Sequence, residues 1–141
     1  MIQHIIEKHF QEHVVKQTND PEKNEYSGCT IQTSHYSIKY RKAKITPKKI
    51  GAFVALWKRD TNGNTIPYDQ NDAFNFYIIE IEDQLKRGYF LFPKEVLIKH
   101  SILSATKEGK RGFRLYMPWN SVISAQATKT QAWQTPYFHF L

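Results

Sequence analysis

Phe74-Asn75-Phe76-Tyr77-Ile78-Ile79-Glu80-Ile81 is the stretch that most constrains how this chain can fold. Its aromatic and β-branched side chains favour a pleated backbone, and apolar groups occupy positions of both parities instead of alternating with polar ones. A strand of that kind is buried on both faces, so other layers must cover it on each side. The run therefore predicts a central strand and a layered domain of the α/β or α+β class.

The elements around it follow from periodicity. Ile2, Ile6, Phe10 and Val14 recur every four residues and predict a helix over 2–14, stopped by Asn19, Asp20 and Pro21. Polar residues then continue to Gly28. Tyr36, Ile38 and Tyr40 alternate with Ser37, Lys39 and Arg41, predicting a strand with aromatic groups on one face and cations on the other. Thr46-Pro47 breaks that strand or caps a short turn through Lys48 and Lys49. A second strand is expected over 51–59, a turn at Asn62-Gly63-Asn64, and a further strand over 89–92. Pro93 suits the first turn of a helix carrying Val96, Leu97 and Ile98. In a strand over 113–117, Phe113, Leu115 and Met117 oppose Arg114 and Tyr116, and Asn120 or Ser121 caps a last helix that ends before Pro136. The sum is one domain over 1–141, a sheet of about five or six strands flanked by helices.

Charge narrows the function. Lys39, Arg41, Lys42, Lys44, Lys48, Lys49, Lys58 and Arg59 fall between Tyr36 and Arg59 with no carboxylate among them, in a chain of formal charge +7. Crowded like charges oppose compaction, so such a block points to an anionic partner, a polyphosphate chain first among them. A well-solvated surface is the bland alternative. A second basic part spans 107–114, where Gly109 and Gly112 bracket Lys110 and Arg111 and free the backbone to approach a phosphate. Arg114, Lys39 and Arg41 occupy strand positions that could line one face of the sheet, and if both basic parts converge they form a groove that tracks a DNA or RNA backbone. The acidic residues Asp60, Asp69, Asp72, Glu80, Glu82 and Asp83 collect elsewhere. Trp57, Trp119 and Trp133 are candidates for stacking on bases or for anchoring the core.

Other classes find little support. The single cysteine, Cys29, excludes an internal disulfide framework, suits a reducing cytoplasm, and reads as a small apolar filler rather than a nucleophile. No apolar run approaches the ~20 residues that cross a bilayer, and His4, Glu7 and Lys8 break up the N-terminal isoleucines, so neither membrane nor signal peptide is expected. No glycine-rich nucleotide motif, P-loop or nucleophile elbow occurs, so no nucleotide cofactor is expected. His9-Phe10-Gln11-Glu12-His13 matches the H-x-x-E-H zinc pattern, but these histidines share a helical face with Ile2 and Ile6 and lack a third ligand. Packing, not metal, is the expectation.

A set of motifs then resembles one family. They are Tyr26-x-Gly28-Cys29; Arg41-Lys42-Ala43-Lys44-x-Thr46-Pro47-x-Lys49-x-Gly51-x-Phe53-Val54; and Trp57-Lys58-Arg59. The series resumes with Phe92-Pro93, Glu108-Gly109-Lys110-Arg111-Gly112, Arg114-x-Tyr116-x-Pro118-Trp119 and Lys129-Thr130-Gln131-x-Trp133-Gln134. Together they resemble the MepB-like proteins over residues 20–138. The resemblance implies a central mixed sheet flanked by helices, like the restriction-endonuclease or PD-(D/E)XK fold, with nucleic-acid binding and without the nuclease catalytic set. That set needs an Asp on one strand and D/E-x-K on the next to hold Mg²⁺. Here the strand after Asp72 carries Glu80-x-Glu82, with Glu where Lys belongs, and Glu108-Gly109-Lys110 is a literal match in a loop. The expected function is weakly sequence-specific binding of single-stranded DNA or RNA. The nucleic-acid-binding residues expected are the eight cations of the first block with Trp57, and Lys110, Arg111, Arg114, Lys129 and Trp133. A Mg²⁺-dependent nuclease using Asp72, Glu80, Glu82, Glu108 and Lys110 is the enzyme alternative, and a module for an acidic protein partner the third.

Overall fold

The computed structural model describes residues 1–20 and 28–141. Pro21 as a helix stop, the polar run up to Gly28, and Tyr26 of the first motif lie outside the described residues.

The apolar run forms β8 (Phe76–Asp83), buried from Tyr77 to Ile81. It sits inside a six-stranded sheet with β1 (Lys16–Asn19), β2 (Cys29–Gln32), β3 (Ser37–Lys42), β9 (Lys86–Pro93) and β11 (Phe138–Phe140), in the order β1-β2-β3-β8-β9-β11. β3 and β8 pair in parallel and every other neighbouring pair is antiparallel, so the central sheet is mixed. The two parities of β8 feed two different cores. Tyr77, Ile79 and Ile81 pack with Phe90, Phe92, Val54, Leu56 and Leu115, whereas Ile78 packs with Ile5, Ile6, Ile31, Ile38 and Tyr89 beneath α1 (Ile2–Phe10). This is why the sequence shows no alternation there. The fold is α+β.

β3 leaves the main sheet at Ala43, whose N–H still donates to the Glu80 carbonyl. β4 (Lys44–Ile45) then joins β5 (Ala52–Ala55) and β10 (Gly112–Leu115) in a three-stranded sheet ordered β10-β5-β4, which covers the first core from the other side. The strand expected over 51–59 is therefore two. Leu56 turns into the core with its N–H on the Arg111 carbonyl, and β6 (Trp57–Arg59) pairs with β7 (Thr65–Pro67) across the turn at 60–64. Asp60 Oδ1 accepts from the N–H groups of Asn62 and Asn64, which fixes that turn.

Three helical expectations shift in detail. α1 ends at Phe10, where Gln11 adopts φ 55°, and Val14 reaches the second core from extended chain instead of from the helix. Pro93 precedes α2 (Lys94–Lys99) in extended conformation. α3 (Ala125–Gln134) is capped by Ser124, whose side chain accepts from the Ala127 N–H, and not by Asn120 or Ser121. Asn120 accepts from the Met117 N–H. Gln134, fully buried, accepts from the Tyr116 N–H and donates to the Arg114 carbonyl, fastening α3 along the free edge of β10. A 3-10 turn (Thr135–Tyr137) leads into β11. No helix among the described residues is long and apolar enough to cross a membrane.

Gly51 is fixed twice over, by φ 93° and by the Leu115 carbonyl and Tyr116 ring, which a Cβ would strike. Gly51→Ala is expected to lower stability by about 1–3 kcal/mol, read as a shift of the urea midpoint. An unchanged midpoint would mean that residues 46–51 do not hold this conformation.

Candidate functional site

The cations of the first block divide into internal and available groups. The structure corrects the expectation that Lys39 and Arg41 face a phosphate, because the second face of β3 is also covered. Arg41 is fully buried; it donates to the carbonyls of Ala55 and Trp57 and lies 3.5 Å from Asp20 Oδ2. Its guanidinium thus satisfies the backbone on both sides of the Leu56 break. Lys39 Nζ sits 2.6 Å from Asp20 Oδ1, donates to Thr30, and lies 5.4 Å from the Tyr68 ring centroid. Lys42 pairs with Glu82 at 3.2 Å and Lys58 with Asp72 at 2.6 Å. Arg59 covers the Trp57 ring and donates to the Gly63 carbonyl. Lys44 lies in β4, paired in register with Phe53.

Lys48 and Lys49 differ. They stand exposed in the loop 46–51, which Thr46 closes by donating to the Lys49 carbonyl. Arg114, on the outer face of β10, donates to Thr46 Oγ1 at 3.0 Å and to the Ile50 carbonyl at 2.9 Å. This pins the loop onto β10 and brings the two basic segments together. Beside the pin lie two adjoining cavities that share Arg114, Tyr116, Ser124 and Ala127. One, of about 370 Å³, is walled by Lys110, His100, Trp133, Gln126 and Thr130; the other, of about 340 Å³, by Lys48, Lys49, Ile50, Val122 and Ile123. No Asp or Glu lines either cavity. Lys48, Lys49 and Lys110 form no ion pair among the described residues, and neither does Lys129, a residue expected to bind that lines neither cavity. The first turn of α3 also opens on this groove, adding its positive dipole end.

The loop 107–112 contributes less than its composition suggests. The Gly109 N–H donates to Ser104 Oγ at 2.7 Å and the Lys110 N–H to the Ile102 carbonyl at 2.9 Å, so neither is offered to a phosphate. Gly109 serves close packing, since a Cβ there would run into the backbone of Ile102 to Ser104. Arg111 points to the Thr65 carbonyl and to Glu108 at 3.4 Å, while the Lys110 side chain enters the groove. Among the tryptophans, Trp133 stacks on His100 with centroids 4.0 Å apart and an interplanar angle of 8°, and packs against Phe92. Trp119 donates to Asp83 and packs against Phe138.

The five nuclease candidates do not converge. Asp72 lies in the loop before β8, Glu80 is buried against Tyr40 beneath α1, and Glu82 follows at the far end of β8 with Lys42 and Arg87. Glu108 pairs with Arg111 in another loop, and Lys110 faces the groove. Among the described residues no group of three or more His, Cys, Asp or Glu could hold a metal ion. The H-x-x-E-H pair is split by the end of α1: His13 approaches Glu7, whereas His9 Nε2 lies 2.6 Å from the Tyr89 hydroxyl. Cys29 is buried, and burial with Asp20 nearby pushes its thiol up to about 11, an inert group.

His9 and His139 pack edge to face, 4.5 Å between centroids, with Tyr89 against both rings. Burial lowers both imidazoles from the ordinary 6.5; His139 and Lys8 add to the effect on His9, and Lys8 to that on His139. The unfolded chain thus binds more protons than the folded one as pH falls through 6.5, so their contribution is complete above that pH and lost below it. The melting temperature is expected to drop between pH 7 and 5, and less steeply in His139→Gln. Identical slopes in the two proteins would reject this account.

An α+β fold with a carboxylate-free basic groove beside its last helix is the class of protein these features define. The MepB-like family model matches residues 20–139, and the chain belongs to that family. It is similar to the protein in a solved crystal structure of MepB, at 32% identity and a TM-score of 0.86, over 99% of this chain and 95% of that one. Among curated proteins none matches the chain. Of the groove residues, sequence reasoning missed His100, Ser124, Gln126 and Thr130, none of which carries a charge signal. The Arg114/Tyr116 alternation did mark the outer face of β10.

Proposed function

We propose that this protein is a non-catalytic nucleic-acid-binding domain whose groove holds a single strand of DNA or RNA. The observation that carries the reading is the meeting of Lys48 and Lys49 with Lys110 and Arg114 around two cavities that no carboxylate lines. Unpaired ammonium groups release counterions when they meet phosphates, and such contacts carry little sequence information. Aromatic walls from Tyr116, Trp133 and His100 favour unpaired bases over a duplex, whose bases are already stacked. The restriction-endonuclease-like fold that the family resemblance implies belongs to the same proposal, as a scaffold without an assembled carboxylate set. So does a cytoplasmic setting, and no cofactor is required.

Fluorescence anisotropy with labelled single- and double-stranded oligonucleotides of equal length tests this at low salt. Tighter retention of the single strand is expected, with Kd rising steeply as salt increases. Absence of binding to either sugar-phosphate polymer would reject the proposal and favour an acidic protein partner. Mg²⁺-dependent cleavage lost in Glu80→Gln would favour the enzyme instead.

A further inference from the structure

Resting on that reading, we infer that the cavity of about 370 Å³ is a base pocket, in which one nucleotide of the strand stacks its base on the His100 ring while its phosphate meets Lys110 and Arg114. Both aromatic rings line the cavity and stack on each other. Trp133 lies nearly parallel to His100 at 4.0 Å and packs against Phe92, so its indole acts as a backing plate. His100 joins the cavity wall, and its ring rests on that plate with no hydrogen bond of its own among the described residues. Burial, with Lys99 beside it, holds the imidazole below its ordinary range. At neutral pH it is therefore an uncharged flat ring.

The remaining walls suit a nucleotide. Lys110 brings an ammonium group with no ion pair, and Arg114 keeps guanidinium donors beyond the Nη1 that holds Thr46 and Ile50. Thr130, on α3, adds a hydroxyl that can donate or accept at a base edge. A pure phosphate track would need the cations alone. The stacked His100–Trp133 pair in its wall is what points to a base.

The test compares decathymidylate with an abasic decamer of equal charge, by anisotropy at low salt, against wild type, His100→Ala and His100→Phe. Decathymidylate is expected to bind wild type about tenfold more tightly than the abasic chain, the scale of one stacked base. His100→Ala should erase that preference, and His100→Phe should keep it. Equal affinity of both chains for wild type, or equal weakening of both by His100→Ala, overturns the base pocket and leaves the phosphate groove standing. Failure of either chain to bind wild type overturns the groove and the pocket together.

Discussion

Replacing Lys48, Lys49 and Lys110 together with Gln is expected to weaken single-strand binding about a hundredfold near 0.1 M salt and to shallow the log K against log[salt] slope by about 2. Each phosphate neutralised on a single strand contributes about 0.7 to that slope, so three lost contacts account for the change. The three side chains are exposed and make no ion pair among the described residues, so the fold should hold to within about 0.5 kcal/mol. The effect would then belong to binding alone. A full-strength complex with an unchanged slope would place the strand elsewhere on the molecule.

Arg41→Met is the second large effect, and it runs the opposite way. The residue belongs to the same basic run, yet its guanidinium serves the Ala55 and Trp57 carbonyls and faces Asp20, whose side chain is 2% exposed. Removing the guanidinium leaves two carbonyls unpaired and Asp20 with Lys39 as its remaining cation, at a cost of about 3–5 kcal/mol. That is a large share of the about 5–15 kcal/mol that holds a typical domain together. The urea midpoint should fall sharply. At temperatures where the variant remains folded, its salt slope for oligonucleotide binding should match wild type. A variant with wild-type stability and a shallower slope would return Arg41 to the surface role its sequence context suggests.

The contrast between these residues shows what the sequence could convey. Composition announced the cations but not which of them would be enclosed, because burial of Arg41 and Lys39 depends on Asp20 and Tyr68, which lie far away in the chain. The continuous apolar run of β8 was legible since burial on both faces leaves a local pattern. The outward pair Arg114 and Tyr116 was legible for the same reason, as period two on a strand. β1 and β11 were not: Lys16–Asn19 is exposed throughout, and β11 has three residues, so neither has a buried stripe to leave a signature. The break at Leu56 was hidden because the residues on either side of it look equally strand-like. The role of Gly109 was misread because close packing against 102–104 and close approach to a phosphate make the same demand on the chain.

Everything functional rests on the groove between the 46–51 loop, β10 and α3. Amide hydrogen exchange with and without a saturating single-stranded oligonucleotide locates the bound strand directly. Protection is expected in residues 46–51, 110–116 and 124–133, with exchange in α1 and in the β6–β7 hairpin unchanged. Protection confined to α1, or to residues 57–67, would contradict the account.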